Sequence, residues 1–286
     1  MRGAFLMMGS MAAFTVNDTL VKLVGQSLPL MQIIAYRGTM ATVLILLLAV
    51  LTGGFRLRAP RRDWMLVGMR AMSEMGATYC FLTALMQMPL ANVTAILQVL
   101  PLTVTLGSAL FFGEAVGWRR MVAIGIGFCG MLLIVRPGTE GFNTYTLYAL
   151  ASVGFVTARD LITRRMSGAV PSIMVTLSTS VAVTCFAFLA SGSEVWVTPD
   201  MRQWSLLASA AVLVLTGYFC AVAVMRAGDV SFIAPFRYTS LVWALLLGFL
   251  VFGDWPSVLT LIGATIVVAT GVFTLLREAR LARRQA

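Results

Sequence analysis

The sequence predicts an all-α polytopic membrane protein with ten transmembrane helices, arranged as two inverted five-helix repeats. Composition, an internal repeat and the distribution of basic residues support this prediction. Of the 286 residues, 59% are hydrophobic and 11% are charged, and the mean hydropathy is +0.92. This leaves too little polar surface for a soluble domain. Because the apolar runs are long and do not alternate with a period of two, helices are expected rather than a closed barrel.

Ten apolar stretches have the length of a membrane-spanning helix, which needs about 20 residues. Short connections with proline or glycine, which mark helix ends, separate them. The predicted spans are residues 3–25, 30–52, 64–87, 89–112, 118–136, 144–166, 171–191, 203–226, 230–252 and 256–277. The first span leads into Asn17 and Asp18 rather than into a small-residue cleavage site, so it is not expected to be a signal peptide.

Three short patterns recur about half a chain apart. The recurring patterns are Asp18-Lys22-Pro29 with Asp160-Arg164-Pro171, Tyr79-Cys80-Phe81 with Tyr218-Phe219-Cys220, and Phe112-Gly113-Glu114 with Phe252-Gly253-Asp254. Their offsets of 142, 139 and 140 residues agree closely, which indicates an internal repeat. The repeat divides the chain into residues 1–140 and residues 141–286.

Basic residues concentrate on one side of the membrane if the N-terminus is cytoplasmic. Fourteen of the 21 then lie on the cytoplasmic side, whereas the outer loops hold only Arg136 and Arg202. This asymmetry predicts that both termini are cytoplasmic. It also explains the formal charge of +10 without nucleic acid as a partner. With five spans in each half, the second half enters the membrane from the opposite side, as in many secondary transporters with a midplane site.

Glycines follow the fourth and ninth spans in a shared pattern. Gly113-Glu114 and Gly253-Asp254 are expected to form tight turns after these spans. Glycines recur in the next spans, where small residues favour close helix packing. These are Gly125, Gly127, Gly130, Gly263 and Gly271. With the five-plus-five arrangement, these motifs resemble the drug/metabolite transporter superfamily, specifically the EamA-type bacterial exporters.

The resemblance covers essentially the whole chain and is closest to the exporters of amino acids, including aromatic ones. It implies a multi-pass protein of the bacterial inner membrane that acts on a small-molecule substrate. It also implies a central cavity formed mainly by spans 1, 3, 4, 6, 8 and 9. The fifth and tenth spans are implied to pack peripherally, often at a dimer interface, so a monomer and a homodimer both stay open.

Ionisable residues inside the spans are expected to face a partner or a cavity, because each costs at least about 2–3 kcal/mol in hydrocarbon. Three pairs have a spacing of four residues, which favours pairing on one helix face. They are Asp18 with Lys22, Arg70 with Glu74, and Asp160 with Arg164. Arg159 and Arg237 have no such acid on their own helix. We predict that one of them binds the carboxylate of an anionic or zwitterionic substrate.

Polar and aromatic residues of the cavity-forming spans complete the predicted site. The predicted substrate-binding residues are Asn17, Tyr79, Gln98, Phe155, Arg159, Tyr218, Arg237, Tyr238 and Trp243. Tyr79 and Tyr218 are related by the repeat and are expected to face each other across the pseudo-twofold axis. Gln98 and Tyr238 correspond in the same way.

Five further residues are candidates for coupling or gating. They are Asp18, Glu74, Asp160, Pro101 and Pro235. The three acids are candidates for proton coupling, and passive transport down a gradient is an equal alternative. Both prolines are expected well inside their spans, where they predict either static kinks or the hinges of a gate.

The sequence therefore predicts a secondary transporter that exports small metabolites by alternating access, with amino acids as the favoured substrates. A multidrug, nucleobase or sugar exporter of the same fold is the alternative. No cofactor or metal is expected, since the chain has no histidine and its four cysteines form no CxxC pair. An enzyme acting on lipid is disfavoured because no catalytic cluster is recognisable, and saturable counterflow would distinguish a carrier from a channel or a receptor.

Overall fold

The computed structural model describes residues 2–51, 60–114, 117–137, 143–167, 170–226 and 233–285, and these residues form α-helices without a strand. The helices are α1 (Arg2–Val24), α2 (Leu30–Leu51), α3 (Arg61–Gln87), α4 (Leu90–Leu97), α5 (Leu100–Phe112), α6 (Trp118–Val135), α7 (Thr144–Arg165), α8 (Ser172–Ala190), α9 (Met201–Arg226), α10 (Thr239–Phe252) and α11 (Val258–Gln285). Short 3₁₀ turns cover Ser191–Ser193 and Ala234–Tyr238. The predicted boundary after residue 140 and the loop arginines Arg56 and Arg58 lie outside the described residues.

Eight segments of the described chain are long and apolar enough to cross a membrane. They comprise α1, α2, α4 with α5, α6, α8, α9, most of the second 3₁₀ turn with α10, and α11. Helices α3 and α7 have 27 and 22 residues but are less apolar, because charged residues interrupt them. The chain is therefore a multi-pass helical membrane protein.

Two of the predicted spans are interrupted close to their prolines. The fourth span divides into α4 and α5, and Pro101 is the second residue of α5. In the ninth span, Pro235 is the second residue of the 3₁₀ turn that precedes α10. Proline has no backbone N–H, so it is tolerated in a first helical turn but removes a hydrogen bond from a helix interior. Pro101 therefore lies inside the fourth span, as expected, beside a break in its helix, whereas Pro235 lies at the start of the described part of the ninth span.

The helices that follow these interruptions end in the same way. Gly113 after α5 has a φ of 68°, and Gly253 after α10 has a φ of 70°. This left-handed conformation ends many helices and suits glycine, which has no Cβ to clash with the backbone. Both Gly-acid motifs thus form the tight turns expected from the sequence.

Polar contacts identify the two ends of the bundle. At the first, the Lys22 end, the ammonium group of Lys22 donates to the carbonyl oxygens of Leu85 (2.8 Å) and Met88 (2.5 Å) at the C-terminus of α3. Carbonyl groups without helical partners attract a cation in this way. Lys22 therefore caps the C-terminus of α3. Its contacts with these carbonyl groups take the place of the expected ion pair with Asp18. At the second, the Asp63 end, Asp63 accepts a hydrogen bond from the backbone amide of Ser167 (3.3 Å).

Helices α6 and α11 pack so closely that their backbones touch. A Cβ atom at Gly130 would lie 2.9 Å from the carbonyl oxygen of Gly263, and one at Gly263 would lie 2.5 Å from the carbonyl oxygen of Gly130. Gly127 and Gly271 also face close neighbours, Leu102 and Tyr238. Gly125 faces open space and makes no such close contact with the described residues of this chain.

Replacing Gly130 with alanine is expected to lower the free energy of unfolding by about 1–3 kcal/mol, because the added methyl group meets a backbone atom that cannot turn away. Gly125→Ala on the same helix is the matched control. There the methyl group has room, and the higher helix propensity of alanine should leave stability equal or slightly higher. Thermal unfolding of the two purified variants in detergent measures the difference. Equal melting temperatures would contradict the close packing.

Candidate functional site

A cavity of about 390 Å³ lies inside the bundle. Its walls come from α1, α3, α4, the start of α5, α7, α9, the second 3₁₀ turn and α10. These segments correspond to the spans that the resemblance implies. Helix α2 also contributes, through Arg37, whereas no residue in the described parts of α6 or α11 lines the cavity.

Half of the fourteen predicted site residues line this cavity. They are Asn17, Asp18, Glu74, Gln98, Arg159, Tyr218 and Arg237. The others lie elsewhere in the bundle: Tyr79, Phe155, Asp160, Tyr238, Trp243, Pro101 and Pro235. The lining therefore combines charged and amide groups, and it holds only part of the predicted aromatic set.

The strongest charge cluster joins α3 to α7. The guanidinium of Arg159 lies 3.2 Å from a carboxylate oxygen of Glu74 and 2.8 Å from one of Asp160. Arg70 lies 3.9 Å from Glu74 and donates hydrogen bonds to the hydroxyl groups of Thr179 (2.6 Å) and Thr163 (3.1 Å). Glu74 thus lies between two arginines, and its expected pairing with Arg70 is present.

This cluster corrects two expectations about α7. Arg159 is not an unpaired arginine, because Glu74 of α3 and its own neighbour Asp160 both contact it. Adjacent side chains leave a helix in different directions, but the long guanidinium arm of arginine can still reach the next residue. Asp160 therefore pairs with Arg159, and Arg164 instead lies 3.5 Å from Glu114.

A second polar chain crosses from α2 to α1. Arg37 donates a hydrogen bond to the amide oxygen of Asn17 (3.1 Å), and the amide nitrogen of Asn17 donates to Asp18 (2.9 Å). Arg37 was not among the predicted site residues, although it is an arginine inside an apolar span. The cost of placing that charge in hydrocarbon was the signal that could have found it.

Arg237 lines the cavity from the second 3₁₀ turn, which packs on α1. Its guanidinium makes no hydrogen bond or ion pair with any residue that the structure describes. The amide of Gln98 fixes this wall, because it donates to the hydroxyl of Ser240 (3.0 Å) and to the carbonyl of Tyr238 (3.4 Å). The two interrupted spans therefore meet at Gln98, beside an arginine that faces the cavity.

The aromatic candidates are divided between separate clusters. Tyr79 makes edge contacts with Tyr148 and Phe186, with ring centroids 6.0 and 6.4 Å apart. Tyr218 instead contacts Phe14 at 5.3 Å, in the cavity wall. The two tyrosines therefore belong to different ring clusters, and the expected pair across the axis is not formed.

Three other aromatic candidates fill space between helices or lie outside the cavity. The ring of Phe155 occupies the space beside Gly76, where a Cβ atom would come within 2.8 Å of it. Tyr238 is buried against Gly271 of α11, and Trp243 is half-buried on α10. Within the described ranges, no group of three His, Cys, Asp or Glu residues is arranged to hold a metal ion.

The Lys22 end is covered by the segment between α8 and α9. The fully buried side chain of Gln32 on α2 donates to the carbonyl of Val197 (2.5 Å) and accepts from its amide (3.0 Å). Beside these two hydrogen bonds, the ring of Tyr36 lies 5.1 Å from Trp196 and 4.8 Å from Trp204. Two hydrogen bonds and an aromatic cluster thus fasten this segment to α2.

A multi-pass helical bundle around a charged cavity belongs to the class of membrane transport proteins. The sequence profile of the EamA-like transporter family matches residues 1–136 and again residues 143–276. The chain therefore belongs to the EamA-like transporter family, within the drug/metabolite transporter superfamily, and the family predicted from the sequence motifs is confirmed.

Curated relatives and a solved structure agree with this assignment. An S-adenosylmethionine uptake transporter of Rickettsia conorii is 27% identical over 99% of this chain and 95% of its own length. A pseudopaline exporter of Pseudomonas aeruginosa is 28% identical over 93% of each chain. A riboflavin transporter of Vibrio cholerae is 31% identical over 69% of this chain and 66% of its own. One crystal structure matches with a TM-score of 0.69 and 17% identity over 98% of both chains, which shows the fold alone.

Proposed function

We propose that this protein is a secondary transporter that exports small zwitterionic metabolites, with amino acids, including aromatic ones, as its substrates. One observation carries the proposal: Arg237, which has no ionic partner among the described residues, shares a cavity with the acids Asp18 and Glu74. A guanidinium favours a carboxylate, and an acid favours an ammonium group. Opposite charges across one cavity therefore complement a zwitterion. An exporter and an uptake transporter are similar to this chain to nearly the same degree, so the export direction rests on the sequence motifs.

The mechanism we propose is alternating access by two inverted five-helix repeats that together make ten spans. The helix packing supports this arrangement. Helix α1 packs on α9 and α3 packs on α7, so exchanging the halves maps one pair onto the other. Three further contacts each join a span of the first half to the equivalent span of the second half. They are α2 with α8, α4 with α10, and α6 with α11. Reporter fusions that place the two chain ends on opposite sides of the membrane would contradict ten spans.

Counterflow in proteoliposomes tests the carrier and its substrates together. Vesicles loaded with an unlabelled amino acid should accumulate the same labelled amino acid transiently, and this accumulation should saturate. A panel of nucleobases, sugars and lipophilic cations tests the alternative substrate classes. Repeating the assay with a pH gradient separates proton coupling through Asp18 or Glu74 from passive exchange. No counterflow with any amino acid would contradict the proposed function.

Arg237→Gln is expected to raise the KM for amino acids at least about tenfold, because an amide cannot replace the charged fork that binds the carboxylate. The measurement is initial counterflow rate against substrate concentration. Arg202→Gln is the control, since Arg202 is an exposed residue of α9 at the Lys22 end, outside the cavity. Removing the substrate carboxylate, as in an amino acid amide, should make the two variants equal. A KM unchanged by Arg237→Gln would remove this residue from the site.

A further inference from the structure

Two further spaces adjoin the central cavity and lead to the outer surface of the bundle. A pocket of about 120 Å³ shares Arg37, Glu74 and Tyr218 with the cavity. Beyond it, a groove of about 830 Å³ lies between α2, α8 and α9. Tyr218 lines all three spaces, so a single side chain borders the whole path.

The groove opens towards the lipid. Val212 and Phe219, which line it on α9, are 53% and 70% exposed on the outer surface of the bundle. The groove also begins at Pro171 and Ser172, the first residues after the Asp63 end. A space with this position meets the acyl chains of the leaflet at the Asp63 end rather than bulk water.

The spacing of α2 and α8 explains why the groove exists. Towards the Lys22 end the two helices are in contact, because Thr42 lies 2.7 Å from the hydroxyl of Ser180 and Gly38 allows Thr184 to approach. Past Thr42 the two helices separate, and the groove lies between Leu44 and Ile173. This hydrogen bond and the close contact at Gly38 therefore join one part of the interface, and the other part stays open.

The chemistry of the walls changes in order along the path. The groove is lined mainly by aliphatic and aromatic side chains. The pocket adds the hydroxyl groups of Thr179 and Ser180 together with Arg37 and Glu74, and the central cavity adds Asp18, Arg159 and Arg237. An amphipathic molecule can therefore keep its polar head among the charges while its apolar part stays in the groove.

We propose that substrates with a large apolar part pass between the central cavity and the leaflet at the Asp63 end through this groove, and that this apolar part occupies it. The inference rests on the proposed transport function and adds that amphipathic zwitterions, such as aromatic amino acids, take this route. Tyr218 forms the boundary between the groove and the charged cavity.

Thr216→Trp, which places a large ring in the groove, tests the substrate class. It should slow counterflow of tryptophan about tenfold and that of alanine less than about twofold, since only the larger side chain needs the groove. Ser209→Trp is the matched control, because Ser209 is exposed on the same face of α9, two turns away and outside the groove. Equal slowing of both amino acids, or no slowing, would overturn the inference.

A labelling experiment tests the route without any substrate. The four native cysteines are replaced by alanine, and Thr78→Cys places a thiol where the pocket meets the cavity. A lipophilic maleimide dissolved in the bilayer should label this thiol, and Thr216→Trp, but not Ser209→Trp, should slow the labelling about tenfold. If Thr216→Trp does not fold, Ile173→Trp fills the groove from α8. If neither Thr216→Trp nor Ile173→Trp slows the labelling, the proposed route is overturned. If one of them slows the labelling but the protein shows no counterflow, only the proposed transport function is contradicted.

Discussion

Glu74→Gln is expected to lower the rate of counterflow about 100-fold, which corresponds to ~3 kcal/mol. Glu74 is the acid between Arg70 and Arg159, and its carboxylate faces both the cavity and the adjoining pocket. Without the negative charge of Glu74, the positive charges of Arg70 and Arg159 repel each other inside the membrane. The ammonium group of the substrate also loses a carboxylate with which it could pair. Initial rates in proteoliposomes, with melting temperatures measured in detergent, determine the effect.

Glu114→Gln is the matched control for this change. Glu114 also pairs with an arginine of α7, Arg164 at 3.5 Å, but both side chains are almost half exposed. Exposed ion pairs contribute about 0–1 kcal/mol, so this variant should transport normally. The double change Glu74→Gln with Arg159→Gln should recover stability without recovering transport. Equal transport by Glu74→Gln and Glu114→Gln would contradict the role of Glu74.

Gln32→Leu is expected to open the Lys22 end of the bundle. Leucine has a similar size but cannot pair with Val197, so two hydrogen bonds worth ~1–3 kcal/mol in total are lost. That loss shifts the equilibrium between closed and open forms of the segment about five- to 150-fold towards the open form. A cysteine introduced by Ala187→Cys, which is buried in the cluster that Trp196 packs against, in a protein without its native cysteines, should then react faster with a charged, water-soluble thiol reagent.

Gln26→Leu is the control for Gln32→Leu. Gln26 is an exposed glutamine at the same end of the bundle, and its side chain makes no hydrogen bond within the described residues. Its loss should leave the reactivity of the introduced thiol unchanged. A thiol that reacts equally in both variants would show that Gln32 does not hold the segment closed.

Composition and charge patterns were sufficient to predict the helical membrane bundle. The lengths of the apolar runs depend on the thickness of the bilayer, so each helix could be placed from local sequence alone. The family and the turns at Gly113 and Gly253 also followed from local motifs. Pro101 predicted a kink in the fourth span, but the sequence does not show whether a kink only bends a helix or divides it, as happens between α4 and α5.

The contacts of the candidate site depended on distances between helices, which a single sequence does not contain. Seven predicted residues line the cavity because an ionisable or amide group in lipid must find a polar environment. The partners of the charged residues were harder to predict. Arg159 forms an ion pair with Glu74 on another helix, and Lys22 donates hydrogen bonds to carbonyl groups of α3. The aromatic residues were least predictable, because a ring such as Tyr79 is equally stable in a core and in a pocket.

The glycine contact between α6 and α11 has a consequence for how the molecule can move. Two helices whose main chains touch at Gly130 and Gly263 can neither slide nor rotate independently without a clash. We therefore expect this pair to behave as a rigid pillar while the remaining helices rearrange around the substrate. Labels attached to α6 or α11 would then serve as a fixed reference. Distances from these labels to labels on the other helices would measure how far each of those helices moves.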